Sequence, residues 1–266
     1  MNVDSYTQQI LPSVDTTIEK LVSKRFIDDP LIPGEYSRIA SIVSSAYKRH
    51  GFILEQAILI RLKNIKSLEV WDDSNFGVSA SAESLVATFI DREDDARMSD
   101  LPYLQNVADQ VRHIQVDAVV YDKNKKSLTS YEIKRGNGLH DAGKRRSMKR
   151  DLLIQQTLLK SYGAQRGFDV QNVDSKIIFY YGQCSLPKPF ALTGNELDDH
   201  FGEKIQKYVE IANNLFSEKL KFQIEKLLND KLDDPKNTSD NEGDVTDTNA
   251  RPPRTKNGLF KKIFGK

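Results

Sequence analysis

The segment VDAVVYDKNKKSLTSYEIKRGNG, residues 116–138, contains two strand-like runs separated by the polar turn KNKK. The first run is rich in valine, and the second is rich in residue types that favour β-structure. Charged residues nevertheless stand inside both runs, namely Asp117 in the first and Glu132 and Lys134 in the second. The segment therefore predicts an antiparallel hairpin that carries an unusual set of charges.

The spacing of these charges predicts that they meet. Glu132 and Lys134 are two positions apart and share one face of a strand, whereas Ile133 points to the other face. If the turn brings the strands together, Asp117 lies beside Glu132 near the open end of the hairpin. Two adjacent carboxylates raise each other's pKa unless a cation lies between them. Oxygen ligands in such small number favour Mg²⁺, for which Mn²⁺ can substitute.

Such a trio suits the metal-assisted hydrolysis of a phosphodiester. The metal would polarise the phosphoryl oxygens and acidify the attacking water. Lys134 would orient that water or help to deprotonate it. The simpler alternative is a solvated strand edge with a cross-strand ion pair. Against it, Asp117 lies inside an apolar run rather than at its end.

The remaining chain predicts an α/β fold with a central mixed β-sheet flanked by helices. Apolar periodicity over 35–63 indicates helix, divided or kinked near Gly51. The other predicted elements, in chain order, are a short strand at 67–71, a small helix at 81–90, strands at 113–122 and 127–135, a long helix at 141–162, a buried strand at 176–182 and one or two helices over 194–231.

Four parts are expected along the chain. They are a helical lead-in at 1–34, an α/β core at 35–190, a helical extension at 191–232 and a disordered acidic linker with a basic-hydrophobic tail at 233–266. In residues 257–266 lysines alternate with Leu, Phe and Ile, which fits a partner protein's groove, an anionic surface or a disordered end.

Composition excludes several classes of protein. With 39 basic and 38 acidic residues, the chain is not a uniformly basic nucleic-acid coat. A single cysteine, Cys184, excludes an internal disulfide framework and a multi-cysteine zinc site. There is no signal-peptide pattern and no apolar run of the roughly 18 residues that a membrane span requires. A cytoplasmic protein without a transmembrane segment is expected.

The pattern D-x14-E-I-K on consecutive strands resembles the PD-(D/E)xK nuclease superfamily, which has the restriction-endonuclease-like fold. The resemblance covers about residues 50–183, and Val116 stands where the family motif has its proline. It implies that Asp117 and Glu132 are catalytic metal ligands, joined by the Ile133 carbonyl. Lys134 would be the catalytic group that positions the water.

The same resemblance implies two further site residues. Members commonly carry an acidic residue on a helix before the first core strand, and Glu55 occupies that place as an auxiliary catalytic acid. Many also use a polar residue on the helix after the lysine strand, where Gln155 or Gln156 stands. Ordinary helix surface is an equally good interpretation of either glutamine.

A basic segment follows the second strand and predicts contact with a nucleic-acid backbone, although a solvated helix end would look the same. Its candidate binding residues are Arg135, Lys144, Arg145, Arg146, Lys149 and Arg150.

The expected function is that of an Mg²⁺-dependent endonuclease, a hydrolase acting on DNA in restriction, defence or repair. The alternatives are an RNA nuclease, a catalytically inactive nucleic-acid-binding protein on the same fold, and an interaction protein built on the helices. A homodimer joined through 194–231 is also expected from the resemblance. The target sequence is open, since no base-recognition motif is visible.

Overall fold

The computed structural model describes residues 1–90, 101–104 and 109–232. The helices are α1 (Val3–Val22), α2 (Gly34–Lys63), α3 (Ala80–Ile90), α4 (Ala142–Gln165), α5 (Leu197–Phe201) and α6 (Gln206–Leu232), with a 3-10 turn at Gly194–Glu196. The strands are β1 (Leu68–Ser79), β2 (Gln110–Asp122), β3 (Ser127–Lys134), β4 (Asn172–Phe179) and β5 (Ala191–Thr193). The predicted linker and tail at 233–266, and the charged stretch 91–100, lie outside the described residues.

The five strands form one mixed sheet in the order β1-β2-β3-β4-β5. β1, β2 and β3 pair antiparallel, whereas β3, β4 and β5 pair parallel. The predicted α/β architecture with a mixed sheet flanked by helices is therefore confirmed. The change from antiparallel to parallel falls at β3, the strand that carries Glu132 and Lys134.

The sheet is buried on both faces. Ala118 and Val120 of β2 belong to an apolar core shared with α1, α2 and α6, whereas Val119 and Tyr121 belong to a second core under α3 and α4. This explains why residues 116–121 of β2 are nearly continuous in apolar residues rather than alternating. Asp117 at 7% exposure is the exception within it.

Capping side chains set the ends of the elements around the hairpin. The Asp141 carboxylate accepts a hydrogen bond from the Lys144 backbone N–H at 2.9 Å and so caps α4. In the turn between β2 and β3, the Asp122 carboxylate accepts from the backbone N–H groups of Asn124 and Lys125. The register that brings Asp117 towards Glu132 follows from this turn.

One predicted break in the helices is wrong. α2 continues without interruption through Gly51. A glycine in a helix interior costs only about 1 kcal/mol relative to alanine, and residues on both sides of it, such as Ala46, Ile53 and Leu54, are buried. Packing against the sheet therefore outweighs the local preference for a break.

Several boundaries also differ from the predicted ones. The first strand extends to Ser79 rather than ending at residue 71. The short strand β5 was not predicted, and its parallel pairing with β4 makes residues 191–193 part of the sheet. Helices α1, α2 and α6 share one core with the sheet.

In the part of the chain that the structure describes, no helix is long and apolar enough to cross a membrane.

Gly136 is required where β3 ends, because its φ is +66° and an added Cβ would lie 2.7 Å from the Cβ of Phe179. We expect Gly136→Ala to lower the free energy of unfolding by more than about 2 kcal/mol. Gly138→Ala is the control, since nothing lies within 4 Å of the added atom. Urea denaturation of both variants measures the difference. Equal stabilities would contradict the assignment of strain to Gly136.

Candidate active site where two strands diverge

The site begins where β2 and β3 stop pairing. Their ladder runs from Asp122 opposite Ser127 to Ala118 opposite Tyr131 and then ends. Beyond it, Asp117 Oδ2 accepts a hydrogen bond from the Ile133 backbone N–H at 2.8 Å. A buried N–H that has left the ladder needs another acceptor. The Asp117 side chain supplies that acceptor and is thereby fixed against β3.

Glu132 and Lys134 lie next to Asp117 on β3, as their spacing predicted. The Lys134 ammonium forms an ion pair with the Glu132 carboxylate, and both side chains are partly buried. The neighbouring Ile133 side chain is buried in the core on the opposite face, against α1, α2 and α6. The strand thus presents both charged side chains towards the site and anchors itself through the residue between them.

Glu55 reaches the same place from α2. Its neighbours Leu54, Ala57 and Ile58 are fully buried against the sheet, which holds this part of the helix in place. Burial raises the pKa of Glu55 to about 7, and the negative charge of Asp117 adds to the increase. The charges of Asp117, Glu132 and Lys134 all act on the Glu55 carboxyl, so the four predicted catalytic residues lie within electrostatic range of one another.

The carboxylates of the site are incompletely neutralised. Burial raises the pKa of Asp117, although the Ile133 N–H and the Lys134 ammonium act against the increase. Burial also raises the pKa of Glu132, which Lys134 lowers and Asp117 raises further. For Lys134, burial alone would lower the pKa, but Glu132, Asp117 and Glu55 outweigh it and raise the pKa. One protonated lysine thus faces several acids. When these acids are ionised, the site carries a net negative charge that a cation would neutralise.

Carboxylate and carbonyl oxygens are the donor atoms that a hard cation such as Mg²⁺ prefers. The Lys134 carbonyl accepts from the Tyr180 N–H on the β4 side, and successive peptide groups of a strand point to opposite edges, so the Ile133 carbonyl faces the β2 side where Asp117 lies. Among the described residues, no group of three or more His, Cys, Asp or Glu side chains is arranged to hold a metal. Asp117, Glu132 and the Ile133 carbonyl could hold Mg²⁺ with water in the other positions, as this ion commonly requires.

Asp72 is a further acid whose charge acts on Glu55, and the sequence analysis did not consider it. It lies on β1, beside a register irregularity opposite β2, and its charge also raises the pKa of Glu55. The signal was present in the sequence, since Asp72 directly follows the predicted strand at 67–71. That strand was predicted to end too early for Asp72 to be considered part of it.

The structure separates the two candidate glutamines. Gln155 lines a pocket of about 260 Å³ together with Glu132 and Lys144. It is 2% exposed, and among the described residues its Oε1 has no hydrogen-bond partner. Gln156 is also buried, and among the described residues its Oε1 likewise has no partner, but it does not line this pocket and its Nε2 donates to the Val173 carbonyl at 2.9 Å. Only Gln155 is placed to act at the site.

The predicted basic segment divides in the same way. Lys144 lines the pocket beside Glu132, and Arg145 and Arg146 are exposed on the first turns of α4. Arg135, Lys149 and Arg150 contact other parts of the fold. Arg150 pairs with Glu83, Lys149 lies over the Phe190 ring at 5.6 Å, and Arg135 turns away from α4 towards Tyr47 of α2.

The fold and the site together define an α/β protein with a five-stranded mixed sheet and an acid–lysine cluster where two central strands diverge. Comparison of the chain with models of known protein families, with curated proteins and with solved structures finds no match.

The raised pKa of Glu55 predicts a pH-dependent stability in the absence of divalent cations. Between about pH 4.5 and 7 the unfolded chain releases the Glu55 proton, whereas the native protein retains it. The free energy of unfolding should therefore fall as pH rises through this window, by on the order of 2 kcal/mol for this residue.

Urea denaturation in EDTA at a series of pH values measures this effect. Glu55→Gln should flatten the fall, and a smaller slope from Asp117 and Glu132 should remain. Glu225→Gln, at an exposed position of α6, is the control and should leave the slope unchanged. An unaltered slope in Glu55→Gln would rule out the burial of its carboxyl beside other acids.

Proposed function

We propose that the protein is an Mg²⁺-dependent nuclease that hydrolyses phosphodiester bonds, with DNA as the expected substrate. The observation that carries the proposal is the convergence of Glu55, Asp117, Glu132 and Lys134 where β2 and β3 diverge. An acid–acid–lysine cluster built on the spacing D-x14-E-I-K favours the restriction-endonuclease-like version of the α/β fold. Mn²⁺ is expected to replace Mg²⁺.

Each residue has a distinct part in the proposed reaction. Asp117 and Glu132 would hold the cation with the Ile133 carbonyl, and the cation would neutralise charge on the phosphodiester and make the attacking water more acidic. Glu55, whose pKa is raised to about 7, is suited to accept a proton from that water near neutral pH.

Lys134 is better suited to donate than to accept a proton. Its pKa is raised by Glu132, Asp117 and Glu55, so the ammonium form is favoured. A protonated lysine can orient the attacking water through its N–H groups and stabilise the negative charge that develops on the phosphoryl oxygens. Of the two roles that the sequence left open, we therefore favour orientation and charge stabilisation.

The substrate backbone would approach along the first turns of α4. Lys144 lies in the pocket beside Glu132, and Arg145 is exposed one residue further on. Neutralisation of phosphates by such residues supplies most of the sequence-independent affinity for nucleic acid. The free Oε1 of Gln155, in the same pocket, is available to a water or to a substrate donor.

The predicted homodimer through 194–231 receives less support. The inward-facing residues of α6, including Val209, Ala212 and Phe216, already pack in the core with α1 and α2. Exposed Phe222 and Leu228 are the apolar residues that α6 would have to offer a second copy.

Cleavage assays test the proposal directly. The full chain is incubated with supercoiled plasmid, linear duplex, single-stranded DNA or RNA, in Mg²⁺, Mn²⁺ or EDTA. We expect metal-dependent cutting that Lys134→Ala reduces by at least about 100-fold, since a group that stabilises developing charge is lost. Lys123→Ala, at the exposed hairpin turn, is the control and should cut normally.

The outcomes separate the alternatives. Cutting of RNA in preference to DNA would identify an RNA nuclease. Nucleic-acid binding without cutting on any substrate would favour the inactive binding protein. The absence of both would favour an interaction protein, and cutting that survives Lys134→Ala would place the site elsewhere.

Metal binding can be measured without any substrate. We expect Mg²⁺ to raise the thermal unfolding midpoint of the wild-type protein, because a ligand at 100 times its Kd stabilises the native state by about 2.7 kcal/mol. Asp117→Asn should lose this effect while it keeps an acceptor for the Ile133 N–H. Asp169→Asn, which affects only an exposed pair with Lys126, should retain it. An Mg²⁺ effect of equal size in Asp117→Asn would exclude Asp117 as a ligand.

A further inference from the structure

An exposed aromatic cluster adjoins the candidate active site. The Arg135 guanidinium carbon lies 3.8 Å from the ring centroid of Tyr47 and 5.7 Å from that of Tyr181. Tyr47 is 52% exposed and Tyr181 is 45% exposed. We call these three residues the stacking platform, because two half-exposed aromatic rings lie there beside a partly buried guanidinium group whose Nε is enclosed.

Hydrogen bonds hold the platform in one arrangement. Arg135 Nη1 donates to the Tyr47 carbonyl at 2.7 Å, and the Asn137 amide donates to the Tyr47 hydroxyl. The Tyr181 backbone N–H donates to the Arg135 carbonyl at 2.7 Å. Behind it, the buried His50 ring stacks on Tyr181 with an interplanar angle of 15°. The exposed rings are therefore already ordered and need little rearrangement to bind a ligand.

The platform continues the site along two elements. Arg135 directly follows Lys134 on the chain, and Tyr47 precedes Glu55 by eight residues on α2, or about 12 Å along the helix axis. The Arg135 side chain contacts Tyr47 of α2, and the charge of Lys134 acts on Glu55 of the same helix. A strand bound at the site and running beside α2 would therefore reach the platform. Residues that serve only to pack α2 on the sheet would be buried, whereas both tyrosines are about half exposed.

We propose that the stacking platform binds an unpaired nucleobase of the substrate strand, a conclusion that rests on the proposed nuclease function. Aromatic rings and the guanidinium plane stack on bases of any sequence, and the arginine charge also attracts the neighbouring phosphate. A base within a duplex is already stacked on its neighbours and is not free to bind there. The preferred substrate is therefore nucleic acid with a single-stranded segment next to the bond that is cut.

Binding to a single-stranded oligonucleotide in EDTA tests the platform separately from cleavage. Fluorescence anisotropy compares a thymidine 12-mer with the same strand in which the central residues are abasic, so that the phosphates remain and the bases are lost. We expect the wild-type protein to bind the abasic strand roughly tenfold more weakly. Tyr47→Ala should bind the thymidine strand more weakly and should discriminate less between the two strands.

Two variants control for effects on the fold. Tyr47→Phe keeps the ring and should keep the discrimination, although it loses the bond from Asn137. Tyr103→Ala removes another exposed tyrosine, 41% exposed with the Lys160 ammonium 5.0 Å from its ring centroid, and should bind both strands as the wild type does. Urea denaturation checks that Tyr47→Ala is folded.

Equal affinity of the wild-type protein for the two strands would overturn the proposal that the platform binds a base. So would a loss in Tyr47→Phe as large as in Tyr47→Ala, because the anchoring of α2 rather than stacking would then explain both. The two proposals fail differently. Base-dependent binding without metal-dependent cutting would overturn the nuclease, whereas cutting with no dependence of binding on the bases would overturn the platform.

Discussion

The hydrogen bond from the Ile133 N–H to the Asp117 carboxylate is the interaction on which the site depends. It forms where the ladder between β2 and β3 ends, so it satisfies a backbone donor and fixes a buried acid in the same contact. A carboxylate taken out of water is destabilised unless hydrogen bonds and charges compensate it. Here the compensation is partial, because the pKa of Asp117 remains raised.

The helices on the two faces of the sheet supply the other candidate site residues. From one face of the sheet α2 brings Glu55, and from the other α4 brings Lys144 and Gln155. Both helices are held by apolar residues in the cores on their own side of the sheet. Because the burial of the acids is not fully compensated, they stabilise the fold less than apolar residues would at the same positions. Residues that cost stability in this way are expected at functional sites.

The sequence predicts features that depend on local geometry. The turn fixes the hairpin register and the pleat fixes the faces, so the meeting of Asp117 with Glu132 and Lys134 could be inferred. Features that depend on contacts distant in sequence could not. The continuity of α2 through Gly51 and the pairing of β5 both follow from tertiary packing. To choose between Gln155 and Gln156, one must know which face of α4 is turned towards the site. The apolar periodicity of the sequence fixes that orientation only approximately.

In the proposed nuclease, the distribution of charge would link cation binding to substrate binding. The acids lie at the strand divergence, while Lys144 lies across the pocket at the first turn of α4. The end of that helix is already occupied by the Asp141 carboxylate, so in the proposed nuclease the lysine and arginine side chains, rather than the helix end, would attract phosphate. Without a cation, the acids would repel a phosphodiester at the reacting position. A cation that neutralises them would increase the affinity for substrate, and by linkage the substrate would increase the affinity for the cation to the same extent.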